Sequence, residues 1–193
     1  MTTISSTEGK KLVFLDIDGV LNSERSFVGG AYREKEYHKH FNDGKIDDPY
    51  WLKITRCTID PIACDLINRV LRECDAYIVM SSTHRQHFPE DEKKLKNLQD
   101  YLTGLGVDGD RLIGWTPRLH TPRGIEIKYW LDKNPGWERF VIVDDDSDMM
   151  PEQMEYFVKT DGAVGVTIET YRKMREILNC ADPAYTDSGI ILP

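Results

Sequence analysis

Two carboxylates stand two residues apart in the segment Asp16-Ile17-Asp18-Gly19. Residues i and i+2 at the end of a strand face the same way, so both carboxylates can converge on one site. At this spacing one of them can act as a nucleophile and the other as a general acid and base. Gly19 permits a tight exit that brings backbone amides close to a ligand. The alternative interpretation is an Asp-rich turn without chemistry.

Hydroxyl and basic side chains follow one another in the segment SSTHR, residues 81–85. A hydroxyl at the end of a strand, followed by a basic residue, can bind phosphoryl oxygens. This pattern makes Ser81, Ser82 and Arg85 candidates for binding a phosphorylated substrate. A Ser-rich helix cap is the alternative.

A further cation, Arg123, lies just inside a helix that Thr121-Pro122 is predicted to open. A cation there can balance the charge of an anionic substrate or intermediate. Since the helix dipole disfavours positive charge at an N-terminus, Arg123 requires a compensating anion. Lys128 is the rival candidate, and its mid-helix position also suits a solvated surface lysine.

Four carboxylates occupy five consecutive positions from Asp144 to Asp148, with Ser147 between the last two. Such groups repel one another unless a cation lies among them. Carboxylate oxygens suit Mg²⁺, which typically takes one or two carboxylates, waters and a substrate phosphate. The alternative is an acidic helix N-terminus, which the helix dipole favours.

The elements that must position these clusters alternate between strands and helices. A weaker apolar run covers Arg111 to Gly114, and either 156–158 or 163–167 is expected to supply a fifth strand. We therefore predict an α/β fold, a doubly wound, Rossmann-like parallel sheet of about five strands, with the polar clusters at its carboxyl edge. Three short apolar runs that end in a polar residue predict strands buried on both faces: Lys11 to Asp16, Ala76 to Ser81 and Arg139 to Asp144.

Two of the predicted helices carry specific expectations. Asp60-Pro61 is typical of an N-cap and first turn, and Cys64 and Cys74 fall on the buried face of the helix that follows. The four cysteines show no CxxC pair or zinc-like spacing, so we interpret these two as small core residues rather than a disulfide framework. The helix after Pro122 is expected to bury three side chains: Ile125, Tyr129 and Trp130.

Nearly forty residues separate the first strand from its helix, far more than an ordinary connection. This insertion, residues 22–60, is rich in aromatic side chains and close to electroneutral. His38 and His40 add conditional positive charge and are candidates for substrate binding. We expect one domain over residues 1–193, with 22–60 as a cap or lid; the alternative is an excursion packed around its own small core.

Taken together and in this order, the clusters resemble the four motifs of the haloacid dehalogenase (HAD) superfamily of phosphohydrolases. The first motif is VFLDIDGVLN, the second VMSS, the third is represented by Arg123, and the fourth is VIVDDDSDM. The series FLDIDGVLN, SSxxR, GWTP, RGxEIxxWL and VDDDSDM is similar to small HAD phosphatases that occur beside, or fused to, nucleic-acid repair modules. The resemblance extends roughly from Lys11 to Leu178.

The resemblance implies Mg²⁺-dependent hydrolysis of phosphate monoesters through an aspartyl-phosphate. It implies that Asp16 is the nucleophile and that Asp18 is the acid and base. Ser81, Ser82, Arg123 and the backbone from Gly19 are expected to hold the phosphoryl oxygens, with Arg85 and Lys128 as further candidates for substrate contact. The metal is expected to be held by carboxylates and backbone drawn from a larger set: Asp16, Asp18, Asp144, Asp145 and Asp148.

The chain carries 33 acidic against 25 basic residues and a net charge of −8. This balance argues against a protein that coats nucleic acid through a broad basic surface, but it allows binding of one phosphorylated end. We expect a nucleotide or a nucleic-acid terminal phosphate, 3′ or 5′, as the substrate. A sugar phosphate or other small metabolite is the alternative substrate, and a catalytically silent domain that binds phosphate or Mg²⁺ is the alternative function. No apolar run is long enough to cross a bilayer, and the N-terminus lacks signal-peptide features, so we expect a cytoplasmic protein.

Overall fold

The structure, a computed structural model, describes residues 6–29 and 50–181. The central part of the insertion, including the candidates His38 and His40, lies outside the described residues. Within the described ranges, no helix combines the length and the apolar character that crossing a membrane would require.

Among the described residues, the sheet has five strands, all parallel, in the order β3-β2-β1-β4-β5. The predicted α/β class and parallel sheet are therefore confirmed, and the fifth strand comes from the first of the two candidate segments. The first strand of the chain is central, and its last residue, Leu15, pairs with Met80 on one side and Val143 on the other. The strand bounds are β1 Lys11–Leu15, β2 Ala76–Met80, β3 Leu112–Trp115, β4 Arg139–Asp144 and β5 Phe157–Lys159.

Helices cover both faces of the sheet, which explains why β1 is apolar without alternation. Val13 and Leu15 face the cluster built with α2, α3 and α5, whereas Leu12 and Phe14 face the cluster built with α4. All four side chains are buried. The helix bounds are α1 Tyr50–Thr58, α2 Pro61–Glu73, α3 Lys94–Leu105, α4 Arg123–Lys133 and α5 Ile168–Ile177.

The N-terminus of α2 forms as the sequence predicts. The Asp60 side chain accepts a hydrogen bond from the backbone N–H of Ile62, and Pro61 occupies the first turn. The carboxylate of Asp60 also pairs with Arg25 at 2.8 Å. Asn22 forms an isolated antiparallel bridge with Ile59. These contacts join the two ends of the insertion to each other.

The buried face of α4 differs from the prediction. Trp130 is buried, as expected, but Ile125 and Tyr129 are 41% and 45% exposed, and Ile127 takes the inner position. Gly124 explains this rotation: a Cβ on it would lie 2.6 Å from the backbone nitrogen of Met150. The helix therefore packs through Gly124 against the backbone of Met149 and Met150. As a result, Ile127 and Trp130 are its buried apolar side chains.

The interpretation of Cys74 as a simple core residue is also wrong. Cys74 is buried at the C-terminus of α2, but its sulfur is bonded to that of Cys180, which follows α5. The two bonded cysteines are 106 positions apart in sequence. Helical periodicity describes only one face of one helix, so it could not show this pairing. Cys64 does behave as a buried core thiol, and burial raises its pKa to about 12.

Candidate active site

The carboxyl ends of β1, β2 and β4 bring three polar side chains to one edge of the sheet. Asp16, Ser81 and Asp144 are all buried there. The backbone ladder fixes their relative position, because the N–H of Asp16 donates to the carbonyl of Val143 at 3.1 Å, and that of Ser81 to the carbonyl of Leu15 at 3.0 Å. Clusters that are far apart in sequence therefore become neighbours.

Three carboxylates form a compact acidic cluster: ligand oxygens of Asp16, Asp144 and Asp145 lie within 4.8 Å of one another. Burial, and then the charge of Asp16, raise the pKa of Asp144 to about 7 and raise the pKa of Asp145 as well. The Oδ2 atom of Asp144 is buried and accepts no hydrogen bond from the described residues. Such a donor set fits a hard divalent cation, which would stabilise all three carboxylates in their charged form.

Asp148, expected among the metal ligands, is not part of this cluster. Its Oδ2 atom accepts a hydrogen bond from the backbone N–H of Arg123 at 2.7 Å, and its carbonyl accepts one from Gly124 at 3.2 Å. Asp148 therefore binds the N-terminus of α4, where the helix dipole favours negative charge. The alternative interpretation of the acidic run, a partner for a helix N-terminus, applies to this residue.

Arg123 projects into the acidic cluster, whereas Lys128 does not. The Nη1 atom of Arg123 lies 3.4 Å from Oδ1 of Asp16 and 3.5 Å from Oδ2 of Asp144, and it donates a hydrogen bond to the carbonyl of Ser81. Lys128 is half-exposed and pairs with Asp132 on its own helix. Of the two rival cations, only Arg123 can therefore balance charge at this edge.

The side chain of Asp18 lies outside the acidic cluster and is 61% exposed. Its Oδ1 accepts a hydrogen bond from Nδ2 of Asn22 at 2.8 Å, and its Oδ2 lies 3.0 Å from Nε2 of His84. The hydrogen bond with His84 lowers the pKa of Asp18. The other ring nitrogen, Nδ1, lies 2.5 Å from the hydroxyl of Tyr101. Sequence reasoning did not select His84, Asn22 or Tyr101.

Gly19 is required by two features of this turn. Its φ is +70°, and a Cβ would lie 2.2 Å from the carboxyl carbon of Asp145. Its N–H donates to Oδ1 of Asn22 at 3.0 Å, and its carbonyl accepts from Oγ1 of Thr160 at 2.8 Å. The residue lets Asp145 approach β1, while its own amide is held by Asn22.

The two serines after β2 differ in what they contact. The Ser82 hydroxyl accepts a hydrogen bond from the N–H of His84 and so caps the 3₁₀-helix Thr83–His87. The Ser81 hydroxyl is buried without a hydrogen-bond partner among the described residues. Buried polar atoms in proteins are normally paired. Ser81 is therefore the serine with an oxygen available for a ligand, and the helix-cap interpretation applies to Ser82.

Arg85 is only 3% exposed, and its guanidinium is occupied by the protein itself. This arrangement favours a positioning role over the expected contact with substrate, because Arg85 ties the segment after β2 to the segment after β3 and to α4. Its nitrogen atoms donate to the carbonyls of Ser81, Ser82, Thr116 and Pro117 and, at 2.5 Å, to the carboxylate of Glu126.

Arg85→Ala is expected to destabilise the fold by roughly 3–5 kcal/mol, because it leaves the buried carboxylate of Glu126 without its partner. Denaturant unfolding followed by circular dichroism measures this change. Arg72→Ala is the matched control, since Arg72 pairs with Asp108 in solvent and its loss should change stability by less than about 1 kcal/mol. Equal effects of the two substitutions would contradict the positioning role.

A cavity of about 500 Å³ opens beside the cluster, between the turn after β1 and the start of the insertion. Gly19 and Asp145 line it from the sheet side, and Asn22, Phe27 and Val28 line it from the insertion. Both apolar side chains are more than half exposed. The described part of the insertion therefore borders the approach to the acidic cluster.

Residues 12–171 match a family of known proteins, described as the HAD domain in Swiss Army Knife RNA repair proteins. The match begins within β1 and ends within α5, so it includes every polar cluster described above. No curated protein and no solved structure matches the chain.

Proposed function

The chain belongs to the family of HAD domains in Swiss Army Knife RNA repair proteins, and from this membership we propose that it is a Mg²⁺-dependent phosphatase. It hydrolyses a phosphate monoester through an aspartyl-phosphate on Asp16. The substrate is a nucleotide or the phosphorylated end of a nucleic acid. Residues 1–193 form one domain, in which residues 22–60 act as the cap.

One observation carries the proposal: a buried carboxylate, a cation and a further pair of acids converge on the same strand ends. Asp16 lies beside Arg123, and its oxygen shares a compact cluster with Asp144 and Asp145. A phosphoryl group carries negative charge that a nucleophilic carboxylate alone would repel. Arg123 and a bound cation supply the opposite charge that such an approach needs.

Asp16 and Asp18 divide the chemistry in this mechanism. The Asp16 carboxylate attacks phosphorus, and the bond to the leaving oxygen breaks while Asp18 gives that oxygen a proton. His84 lowers the pKa of Asp18 in the free protein, and the negative charge of a bound phosphate group opposes this effect and favours the protonated carboxyl. Asp18 then takes a proton from water, which attacks the phosphorus of the acyl phosphate and regenerates Asp16. The exposure of Asp18 at the mouth of the site suits contact with a leaving group and with water.

The remaining polar groups of the site bind the phosphoryl oxygens or the metal ion. The Ser81 hydroxyl and the Arg123 guanidinium bind phosphoryl oxygens, and the buried Oδ2 of Asp144 is available as a ligand atom. Asp16, Asp144 and Asp145 would hold Mg²⁺, together with the backbone carbonyl of Asp18. When bound, this ion supplies positive charge to a phosphoryl group that gains negative charge in the transition state.

A substrate panel tests the proposal. p-Nitrophenyl phosphate, mononucleotides, sugar phosphates and oligonucleotides with a 3′- or a 5′-phosphate are incubated with the protein in MgCl₂ or in EDTA. We expect phosphate release in MgCl₂ only, and highest kcat/KM on a nucleotide or an oligonucleotide end. Preference for a sugar phosphate would contradict the substrate class, and no turnover of any compound would contradict the enzymatic function.

His84→Ala is expected to lower kcat by about tenfold to a hundredfold with KM almost unchanged. The reason is that His84 fixes the orientation of Asp18 and is itself held by Tyr101. Steady-state kinetics on p-nitrophenyl phosphate measures both constants. His84→Gln keeps one side-chain donor and should recover part of kcat. A folded His84→Ala protein with unchanged kcat would contradict the positioning role.

A further inference from the structure

A groove of about 990 Å³ runs along the β3 edge of the sheet, between the segment after β3 and α4. We propose that this groove binds the single-stranded nucleic acid that leads to the terminal phosphate, with bases stacked on its aromatic rings. This inference rests on the proposed function and adds to it a binding site for the rest of the substrate. The volume of the groove is at the upper end of the range for ligand pockets, roughly 300–1,000 Å³.

The groove shares lining residues with a smaller cavity that reaches Arg123. A smaller cavity of about 230 Å³ is lined by Arg123, which projects into the acidic cluster, and by His120 and Arg118. Arg118 also lines the groove, as do Arg85 and Gln86. A strand whose terminal phosphate reaches Arg123 can therefore continue past Arg118 into the groove without leaving the surface.

Of the aromatic side chains that line the groove, Tyr129 is exposed and Trp115 is half-buried. Trp115 is the last residue of β3; its ring packs against the hydrophobic core, and the amine of Lys94 lies 5.0 Å from the ring centroid. Tyr129 presents its ring from α4, where it is 45% exposed despite a pattern that predicts burial, and the amine of Lys133 lies 5.8 Å from the ring centroid. Stacking on aromatic side chains is the usual way in which proteins hold single-stranded bases.

The exposed charges that line the groove are two cations, Arg118 and Lys133, and one carboxylate, Glu90, in a chain whose net charge is −8. Arg118 and Lys133 are exposed and, in the part of the chain that the structure describes, form no ion pair. Lys94 is already neutralised by Glu90, as is Arg85 by Glu126. Arg118 and Lys133 therefore remain to contact the phosphodiester backbone.

The test compares substrates of increasing length. We measure kcat/KM for a phosphorylated mononucleotide, for phosphorylated RNA oligonucleotides of increasing length, and for p-nitrophenyl phosphate. The wild-type protein should gain kcat/KM with length. Tyr129→Ala and Arg118→Ala should each reduce that gain by about tenfold, while turnover of p-nitrophenyl phosphate stays within about twofold.

The control variants are exposed residues outside the groove. Ile125→Ala removes an apolar side chain of similar exposure from the same helix, and Lys96→Ala removes an exposed cation from α3. Both should keep the full length gain. If Tyr129→Ala and Arg118→Ala also keep it, or if they lower turnover of p-nitrophenyl phosphate equally, the proposed strand site is wrong although the phosphatase function stands.

A separate binding measurement covers the case in which no substrate is hydrolysed. Fluorescence anisotropy with a labelled single-stranded RNA that ends in a hydroxyl needs no catalysis and no terminal phosphate. Wild-type protein and both controls should bind it more tightly than Tyr129→Ala and Arg118→Ala do. Equal binding by all proteins would overturn the inference on its own, whereas a loss confined to the groove variants would support it even if the phosphatase function failed.

Discussion

Asp16→Asn is expected to lower phosphatase turnover by at least about a thousandfold, with the fold unchanged. The amide that replaces the carboxylate is a poor nucleophile, so the acyl phosphate no longer forms. The new side chain has nearly the same size and occupies the same buried position at the end of β1. Phosphate release from p-nitrophenyl phosphate measures the loss, and circular dichroism checks the fold.

A second readout separates loss of the nucleophile from loss of folding. Rapid acid quench of the wild-type protein with a ³²P-labelled substrate should trap phosphate on the protein, and Asp16→Asn should trap none. Asp132→Asn is the matched control, because Asp132 is an exposed partner of Lys128 on α4 and should keep full turnover. Wild-type turnover by a purified Asp16→Asn protein would exclude Asp16 as the nucleophile.

Asp144→Asn is expected to abolish the response to Mg²⁺ and, at the same time, to stabilise the metal-free protein. Burial and the neighbouring Asp16 raise the pKa of Asp144 from 3.8 to about 7. A buried carboxylate that must ionise beside another carboxylate destabilises the folded state, and the neutral amide does not. Turnover in MgCl₂ should fall by at least about a hundredfold, because a ligand carboxylate is lost.

The sign of the pH effect follows from the direction of this pKa shift. The folded state holds the proton of Asp144 more tightly than the unfolded state, so this group favours folding most below pH 3.8. Its contribution falls as pH rises and is lost as pH passes about 7. In EDTA, the unfolding temperature of the wild-type protein should therefore decline over this range by several degrees more than that of Asp144→Asn.

Thermal unfolding from acid to pH 8, in EDTA and in MgCl₂, measures both effects. Added Mg²⁺ should raise the unfolding temperature of the wild-type protein at pH 8 and leave that of Asp144→Asn almost unchanged. Asp146→Asn is the control, since Asp146 is exposed and should keep the wild-type pH dependence. An Asp144→Asn protein that is less stable than wild type in EDTA at pH 8 would contradict the argument.

The sheet and the edge at which the polar clusters meet were predictable from local pattern. Unbroken apolar runs that end in Asp16, Ser81 and Asp144 are typical of parallel strands covered on both faces, and such strands share one carboxyl edge. Asp60-Pro61 likewise predicted the start of α2, because N-capping depends on residues that are adjacent in sequence. Where the physical cause is local, the sequence was sufficient.

Features set by contacts between distant segments were not predictable in this way. Ser82 and Asp148 have residue types suited to a phosphate and a metal, yet the structure uses them at helix N-termini. Arg85 is bound to carbonyls more than thirty residues away, and the Asp18–His84 contact spans 66 positions. The rotation of α4 depends on what Gly124 meets across the fold. In each case the role of the residue depends on the group that it contacts in the folded protein. A single sequence does not show which distant residue that group belongs to.

The central position of β1 has a consequence for how the chain assembles. Strand β1 pairs with β2 on one side and with β4 on the other, and β4 is completed only at residue 144. Contacts between such distant segments form slowly, because a long loop must close first. Until residue 144 has been synthesised, a nascent chain therefore carries the apolar strand β1 with its β4 side unpaired. Fragments that end before β4 should be caught by chaperones or degraded rather than accumulate as a folded half.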